Sequence, residues 1–235
     1  MDHALIWSLV AGAGTALGAG ILFLKKRWSN KSLSFFLGLA SGVMLAVVTF
    51  DMLPSALLYA DFMKVIIGIG LGLLIMMIVN SAVFEGINSA ETMLGLGYMI
   101  MLGIALHDLP EGMAIAFGEE MKAKTGMIIA LGIGIHNIPE GMAIAAPLIM
   151  SGVKKWVILM QTVLIGFITP LGTILGKYLA AILPDLLPLM LGLASGVMLY
   201  LVLFQLWPQA GNKNKRSRWW GLGMGTIVIL TATFI

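Results

Sequence analysis

The stretch LGLASGVMLAVVTFDMLPSA, residues 37–56, returns near the end of the chain as LGLASGVMLYLVLFQLWPQA, residues 191–210. Thirteen of the twenty positions are identical at an offset of 154 residues. A small-residue packing motif explains the shared Gly-Leu-Ala-Ser-Gly, but Phe50 and Pro54 also recur in register. We therefore interpret the match as an internal duplication.

The composition is typical of a protein embedded in a lipid bilayer. The chain has 235 residues, of which 60% are hydrophobic and 11% charged, and its mean hydropathy is +1.01. Soluble domains carry about a quarter charged residues. The absence of cysteine from the sequence excludes disulfides, thiolate metal sites and cysteine nucleophiles. The net charge of +3 indicates no nucleic-acid partner, because the cations suit a cytoplasmic rim.

Eight apolar segments are long enough to cross a membrane, for which a helix needs about 20 residues. The connections between them are short and polar, which predicts one transmembrane domain over residues 1–235 and an all-α, polytopic fold. The predicted helices group as 1–3 (about 4–84), a central pair (about 93–150) and 6–8 (about 155–235). The eight segments are roughly 4–24, 33–53, 63–84, 93–118, 125–150, 155–177, 185–208 and 217–235.

The distribution of Lys and Arg predicts the orientation. With the N-terminus outside, the inner loops hold ten of the fourteen cations and the outer loops four. Cytoplasmic loops carry the excess of positive charge, so we expect both termini outside a multi-pass protein of the cell (inner) membrane.

The duplicated stretches lie on the second and seventh spans, which run in opposite directions through the bilayer. Homologous segments of opposite orientation are typical of inverted-repeat transporters, whose binding site lies near the midplane. The predicted architecture is a 3+2+3 inverted repeat of eight transmembrane helices.

A second repeat occupies the central pair of spans. HDLPEGMAIAFG, residues 107–118, is followed 29 positions later by HNIPEGMAIAAP, residues 136–147, with eight of twelve positions identical. Both copies place a histidine, a carboxylate and a proline inside long apolar segments.

The spacing within each copy predicts a shared site. Residues four apart lie on one face of a helix, so His107 and Glu111 point the same way, as do His136 and Glu140. The two helices are antiparallel neighbours because the loop between them is short. Two imidazoles and two carboxylates converging there suit zinc or a similar divalent ion, whose charge two ionised Glu neutralise.

Energetics favour the same interpretation. A charged side chain at the bilayer centre costs roughly 2.5–3.5 kcal/mol, so Asp108, Glu111 and Glu140 together cost about 8–10 kcal/mol if unpaired. No Lys or Arg lies in the middle of either span. A bound cation or protons must supply the positive charge. Pro110 and Pro139 predict kinked helices that line a polar path.

The polar residues after the histidines allow two roles. Asp108 and Asn137 form an adjacent second metal site with the glutamates, or they orient the imidazoles by hydrogen bonds. Asp51 and its repeat mate Gln205 line an outer path or serve as interfacial caps.

Alternative functions follow from the same residues. A proton-linked transporter of another substrate would use His and Glu as a relay. An intramembrane metalloprotease would carry His-Glu-x-x-His, which the sequence lacks, so we do not expect an enzyme.

At these residues the chain resembles the Zrt/Irt-like (ZIP) family of divalent metal transporters. Its signature is His-Asn-x-Pro-Glu-Gly on the fourth helix, and His or Gln, a polar residue and x-Pro-Glu-Gly on the fifth. The resemblance implies zinc uptake into the cytoplasm, with Fe²⁺, Mn²⁺ and Cd²⁺ as other substrates. It also implies a homodimer, movement of the central helices and no cofactor beyond the transported ion. By position, the resemblance makes His107, Glu111, His136 and Glu140 the primary metal ligands, with Asp108 and Asn137 at a neighbouring site.

The chain departs from the family pattern in three places that matter. The family's order of amide and acid after the two histidines varies, and here Asp108 comes first and Asn137 second. Many relatives carry Glu-Pro-Leu-Gly on the sixth helix, whose Glu completes a second metal site, whereas this chain has Thr169 there. A neutral hydroxyl is a weaker ligand, so we expect one metal rather than two. The family's His-rich loop is replaced by a short stretch with Glu85 and Glu91, so we expect no metal sensing there.

Overall fold

The computed structural model describes residues 3–59, 62–84, 92–183 and 185–234, and these ranges contain helices but no strand. The stretch with Glu85 and Glu91 lies outside the described residues. The prediction of an all-α polytopic membrane protein is confirmed. The helices are α1 (His3–Phe23), α2 (Asn30–Leu57), α3 (Phe62–Ala82), α4 (Met93–Met121), α5 (Ala123–Met150), α6 (Lys155–Ile182), α7 (Leu186–Lys213) and α8 (Lys215–Phe234).

Seven of these helices, α1 to α7, are long and apolar enough to cross a membrane. Helix α8 has 20 described residues, but Lys215, Arg216 and Arg218 in its first turn lower its hydropathy. The eighth crossing therefore stays a prediction. Helices α4 and α5 continue through Pro110 and Pro139 without a break in their helical structure.

Two helices contain a wider, π-helical turn at equivalent positions. The turns span Val48–Met52 in α2 and Leu201–Leu206 in α7, and the residue after each donates its amide to a carbonyl five positions earlier. Pro54 and Pro208 follow the two turns and have no N–H, which removes the next α-helical donor. Local backbone geometry therefore follows the sequence duplication at the same offset.

The helix contacts form two equivalent sets. Helix α1 packs on α5 as α6 packs on α4, and α2 packs on α8 as α7 packs on α3. Contacts of α2 with α5 and of α7 with α4 complete the scheme. The same scheme results when α1 is exchanged with α6, α2 with α7, α3 with α8 and α4 with α5. The inverted repeat itself stays a prediction.

Glycines allow these helices to approach until their backbones touch. A Cβ atom on Gly12 of α1 would overlap the carbonyl of Gly166 in α6, its repeat mate. Gly42 of α2 lies in the same way against Leu222 of α8, and Gly72 of α3 against Leu193 of α7. Such small-residue contacts replace the hydrophobic effect as the source of helix association in lipid.

Glu119 has a structural role at the end of α4. Its carboxylate accepts the Ala4 amide at the start of α1 (2.8 Å) and pairs with Lys177 of α6 (2.9 Å). The exposed Glu120 beside it lies at the same end of the bundle. Glu119 therefore ties α1, α4 and α6 together.

The α1–α6 contact predicts unequal effects for two Gly→Ala changes in α1. Gly12→Ala should lower the free energy of unfolding by about 1–3 kcal/mol, because the added methyl group separates two touching backbones. Gly20→Ala is the matched control, since a Cβ there meets no atom within 4 Å. Thermal unfolding in detergent, followed by tryptophan fluorescence, measures both. Equal stability of the two variants would contradict the backbone contact.

Candidate metal centre

The six predicted site residues are all buried near the middle of α4 and α5. The two helices are antiparallel and joined at Lys122, the cap residue between them. The predicted site residues are His107, Asp108 and Glu111 on α4, and His136, Asn137 and Glu140 on α5.

The imidazoles and carboxylates pair across the two helices. His107 Nε2 lies 3.2 Å from Glu140 Oε2, and His136 Nε2 lies 3.1 Å from Glu111 Oε2. The helical spacing places each histidine one turn from the glutamate of its own helix. Each histidine nevertheless contacts the glutamate of the neighbouring helix. A hydrogen bond of this kind needs a proton on one of its two atoms. The pairs thus bring all four side chains to one place.

The orientation of the His107 ring is set by a backbone group. Its Nδ1 lies 3.0 Å from the carbonyl of Gly103, one turn earlier on α4. Since a carbonyl only accepts, Nδ1 carries the proton, and Nε2 is directed at the carboxylates. The sequence did not suggest Gly103, because any residue offers a carbonyl at that position.

Asp108 lies close to the cluster but does not orient a ring. Its Oδ1 is 3.7 Å from His107 Nε2, whereas the orienting bond to Nδ1 comes from Gly103. Donor atoms of His107, Asp108 and Glu111 lie within 4.8 Å of one another, a spacing compatible with one metal ion. Asp108 thus lies beside the α4 donors.

Asn137 contacts α1 instead of an imidazole. Its side-chain amide donates to the Ala11 carbonyl at 3.1 Å, which attaches α5 to α1 at the level of the site. The amide oxygen is buried and has no hydrogen-bond partner in the described part of the chain. The ring-orienting alternative for Asp108 and Asn137 is therefore not the geometry observed.

Several buried oxygens around the cluster have no hydrogen-bond partner among the described residues. Burying such an atom unpaired costs about 1–3 kcal/mol, and more when it is charged. The concentration of these atoms at one place favours a site that takes a positively charged ligand. They are both carboxylate oxygens of Asp108, Oε1 of Glu111, Oε1 of Glu140, Oδ1 of Asn137, and the hydroxyls of Thr15 and Thr169.

Thr15 was missed by the sequence reasoning, although a signal existed. Applying the offset of 154 residues to Thr15 gives Thr169, and both are fully buried. Thr15 packs its backbone on Gly141 of α5, as Thr169 packs on Gly112 of α4. The two threonines therefore flank the metal-binding candidates from α1 and α6 in equivalent ways.

A cavity of about 460 Å³ reaches the cluster from one end of the bundle. Glu111 and His136 line its deep part, and Met121 and Thr125 at the α4–α5 turn line its mouth. Asp51 of α2 also lines this cavity, which agrees with the outer-path alternative for that residue. Its mate Gln205 is buried and donates to Asn80 at 3.4 Å.

The sequence has named relatives that extend over most of its length. Residues 85–232 match the family model described as ZIP Zinc transporter. Zinc transporter ZTP29 of Arabidopsis thaliana is 32% identical, over 88% of this chain and 84% of that protein. Zinc transporter ZupT of Stenotrophomonas maltophilia (strain R551-3) is 30% identical, over 98% of this chain and 95% of that protein. These relatives are named as transporters, not enzymes, and the chain belongs to the ZIP zinc transporter family.

Proposed function

We propose that this protein carries zinc across the cell membrane into the cytoplasm through the His–Glu cluster of α4 and α5. The observation that carries the proposal is the cluster itself, in which two imidazoles and two carboxylates meet and two of the four groups, Glu111 and His136, line a cavity. The names of the relatives support zinc as the substrate. Fe²⁺, Mn²⁺ and Cd²⁺ are further candidate substrates, because nitrogen and oxygen donors also suit them.

The proposed primary ligands are His107, Glu111, His136 and Glu140. Two ionised glutamates neutralise the dication, which removes the electrostatic cost of two carboxylates in an apolar bundle. An ion that enters between the paired groups must displace the proton that each pair shares. In this scheme the proline-containing helices provide the donors and the glycines beside the glutamates provide close packing.

We propose one ion per chain. Asp108 and Asn137 add buried oxygen atoms without a hydrogen-bond partner among the described residues, but Thr169 of α6, which packs on Gly112 of α4, is neutral. Without a third carboxylate, a second dication would lack enough anionic donors. Asp108 instead supplements the primary cluster, since its oxygens lie near those of Glu111.

The route follows from the cavity and the charge distribution. The cavity opens at the end of the bundle with the α4–α5 turn, which the positive-inside rule places outside, together with both termini. The ion enters there and leaves toward the basic cytoplasmic face once the central helices move against the others. We further propose that the 3+2+3 inverted repeat forms one transmembrane domain and that two chains form a homodimer in the inner membrane.

Removing the histidines should abolish tight zinc binding. In His107→Ala and His136→Ala, zinc affinity should fall at least about 10-fold each, because each variant lacks one of the nitrogen donors to the ion. His3→Ala is the matched control, since the third histidine is exposed near the start of α1. Calorimetric titration of purified protein gives affinity and stoichiometry, and radiotracer zinc uptake into proteoliposomes gives the flux.

Two outcomes would contradict this prediction. Tight zinc binding that survives in the His107→Ala/His136→Ala double variant would place the metal elsewhere. A pH gradient that drives another substrate, without zinc binding, would favour the proton-linked transporter, for which the His–Glu hydrogen bonds also provide proton-carrying groups.

The orientation can be tested with single cysteines, because the natural sequence has none. Glu120→Cys lies at the α4–α5 end, and Ser151→Cys lies at the α5–α6 end, where both side chains are exposed. A membrane-impermeant maleimide added to intact cells should label the first variant and reach the second only after permeabilisation. The parent chain controls for background labelling. The reverse pattern would show that the termini face the cytoplasm.

A further inference from the structure

Asp51 is an ionisable residue inside a membrane-spanning helix and is not one of the four paired groups of the His–Glu cluster. It lies in the π-helical turn of α2, is exposed, and lines the cavity that leads to Glu111 and His136. Ionisable residues within membrane spans face cavities or partners and mark ion pathways. Asp51 therefore requires a functional explanation of its own.

Asp51 lies within a π-helical turn and also lines the cavity. One extra residue in the turn rotates the following side chains relative to a regular α-helix, and such turns occur frequently at functional sites. The equivalent turn in α7 holds Gln205, which is buried and bonded to Asn80. Thus the two copies share the distorted backbone, but only the copy on the cavity carries an acid.

The cavity around Asp51 is poor in basic side chains. Among the described residues, the cavity lining includes no Lys or Arg. Asp185 at the mouth is already paired with Lys64 at 3.0 Å. Ser55, one turn after Asp51, lines the same cavity, and its hydroxyl is placed to donate to the Asp51 carboxylate. Deeper in, Glu111 and His136 interact electrostatically with Asp51.

We propose that Asp51 is a cation-binding station in the cavity, which takes up the divalent ion before the ion reaches the His–Glu cluster. This inference rests on the proposed transport function and adds a residue to its path. The carboxylate replaces part of the water shell of the ion while the remaining waters stay in the cavity. Hard oxygen donors with retained water suit a transient site. Transfer then exchanges this oxygen donor for Glu111 and His136.

A binding site of this kind affects the uptake of zinc from solution at low concentration more than the maximal rate of transport. A cavity lined by one sign of charge raises the local cation concentration and the association rate by roughly 10- to 1,000-fold. Removing its charge should therefore raise the zinc concentration needed for half-maximal flux and leave the saturated flux nearly unchanged. A merely structural residue would instead lower the saturated flux or the amount of folded protein.

The test compares zinc uptake by proteoliposomes that contain the full chain or one of four variants. Asp51→Asn removes the charge with little change in volume, Asp51→Ser provides a second neutral variant, and Asp51→Glu keeps the charge. Glu120→Gln is the matched control, because Glu120 is an exposed acid at the same end of the bundle that does not line the cavity. Size-exclusion chromatography and thermal unfolding verify that each variant is folded.

The expected result is a KM for zinc raised about 10-fold in both neutral variants, with the maximal rate retained. Asp51→Glu and Glu120→Gln should keep KM close to that of the parent protein. Three results would each contradict cation binding at Asp51. They are an unchanged KM in the folded neutral variants, an equal rise of KM in Glu120→Gln, and a loss of maximal rate without a change in KM. Failure of the transport function itself is distinguishable, since the parent protein would then show no zinc flux.

Discussion

The structure depends on the need to keep carboxylates in an apolar bundle. Glu111 and Glu140 remain in membrane-spanning helices because each meets an imidazole from the other helix, at 3.1 and 3.2 Å. This requirement fixes the distance and the register of α4 and α5. Gly112 and Gly141, next to the two glutamates, then allow α6 and α1 to pack directly on the backbones that carry them. The site and the bundle are therefore stabilised by the same residues.

Equivalent features occur in pairs at the offsets of 154 and 29 residues, and some of the paired positions differ in chemical type. Thr15 and Thr169 are equivalent in sequence, burial and packing. By contrast, two pairs of equivalent positions combine an acid with an amide. Asp51 corresponds to Gln205, and Asp108 corresponds to Asn137. In the former pair, the acid faces the cavity and the amide bonds to protein. The two ends of the proposed path differ in their surroundings, so equivalent positions of the two copies need not carry the same charge.

Much of the fold and of the site was predictable from local sequence. Length and hydropathy locate the helices, and the i, i+4 spacing places each histidine near its glutamate. The cross-helix pairing of His107 with Glu140 was not predictable, because it depends on the relative rotation of two helices. The bond from His107 to Gly103 escaped notice because a backbone carbonyl leaves no mark in the sequence. The π-helical turns depend on a one-residue shift in hydrogen bonding, which periodicity does not resolve.

The packing also indicates where movement is least costly. Backbone-to-backbone contacts at Gly12, Gly112 and Gly141 join α1, α4, α5 and α6, and such contacts permit little sliding. Between α4 and α7, Gly103 meets the flexible end of the Leu201 side chain instead. Leu201, together with the fully buried Ile104 of α4, lies on the side of the cluster away from the cavity mouth. Because flexible side chains repack more readily than touching backbones, the α4–α7 contact at Gly103 is less rigid than the glycine contacts that join α1, α4, α5 and α6.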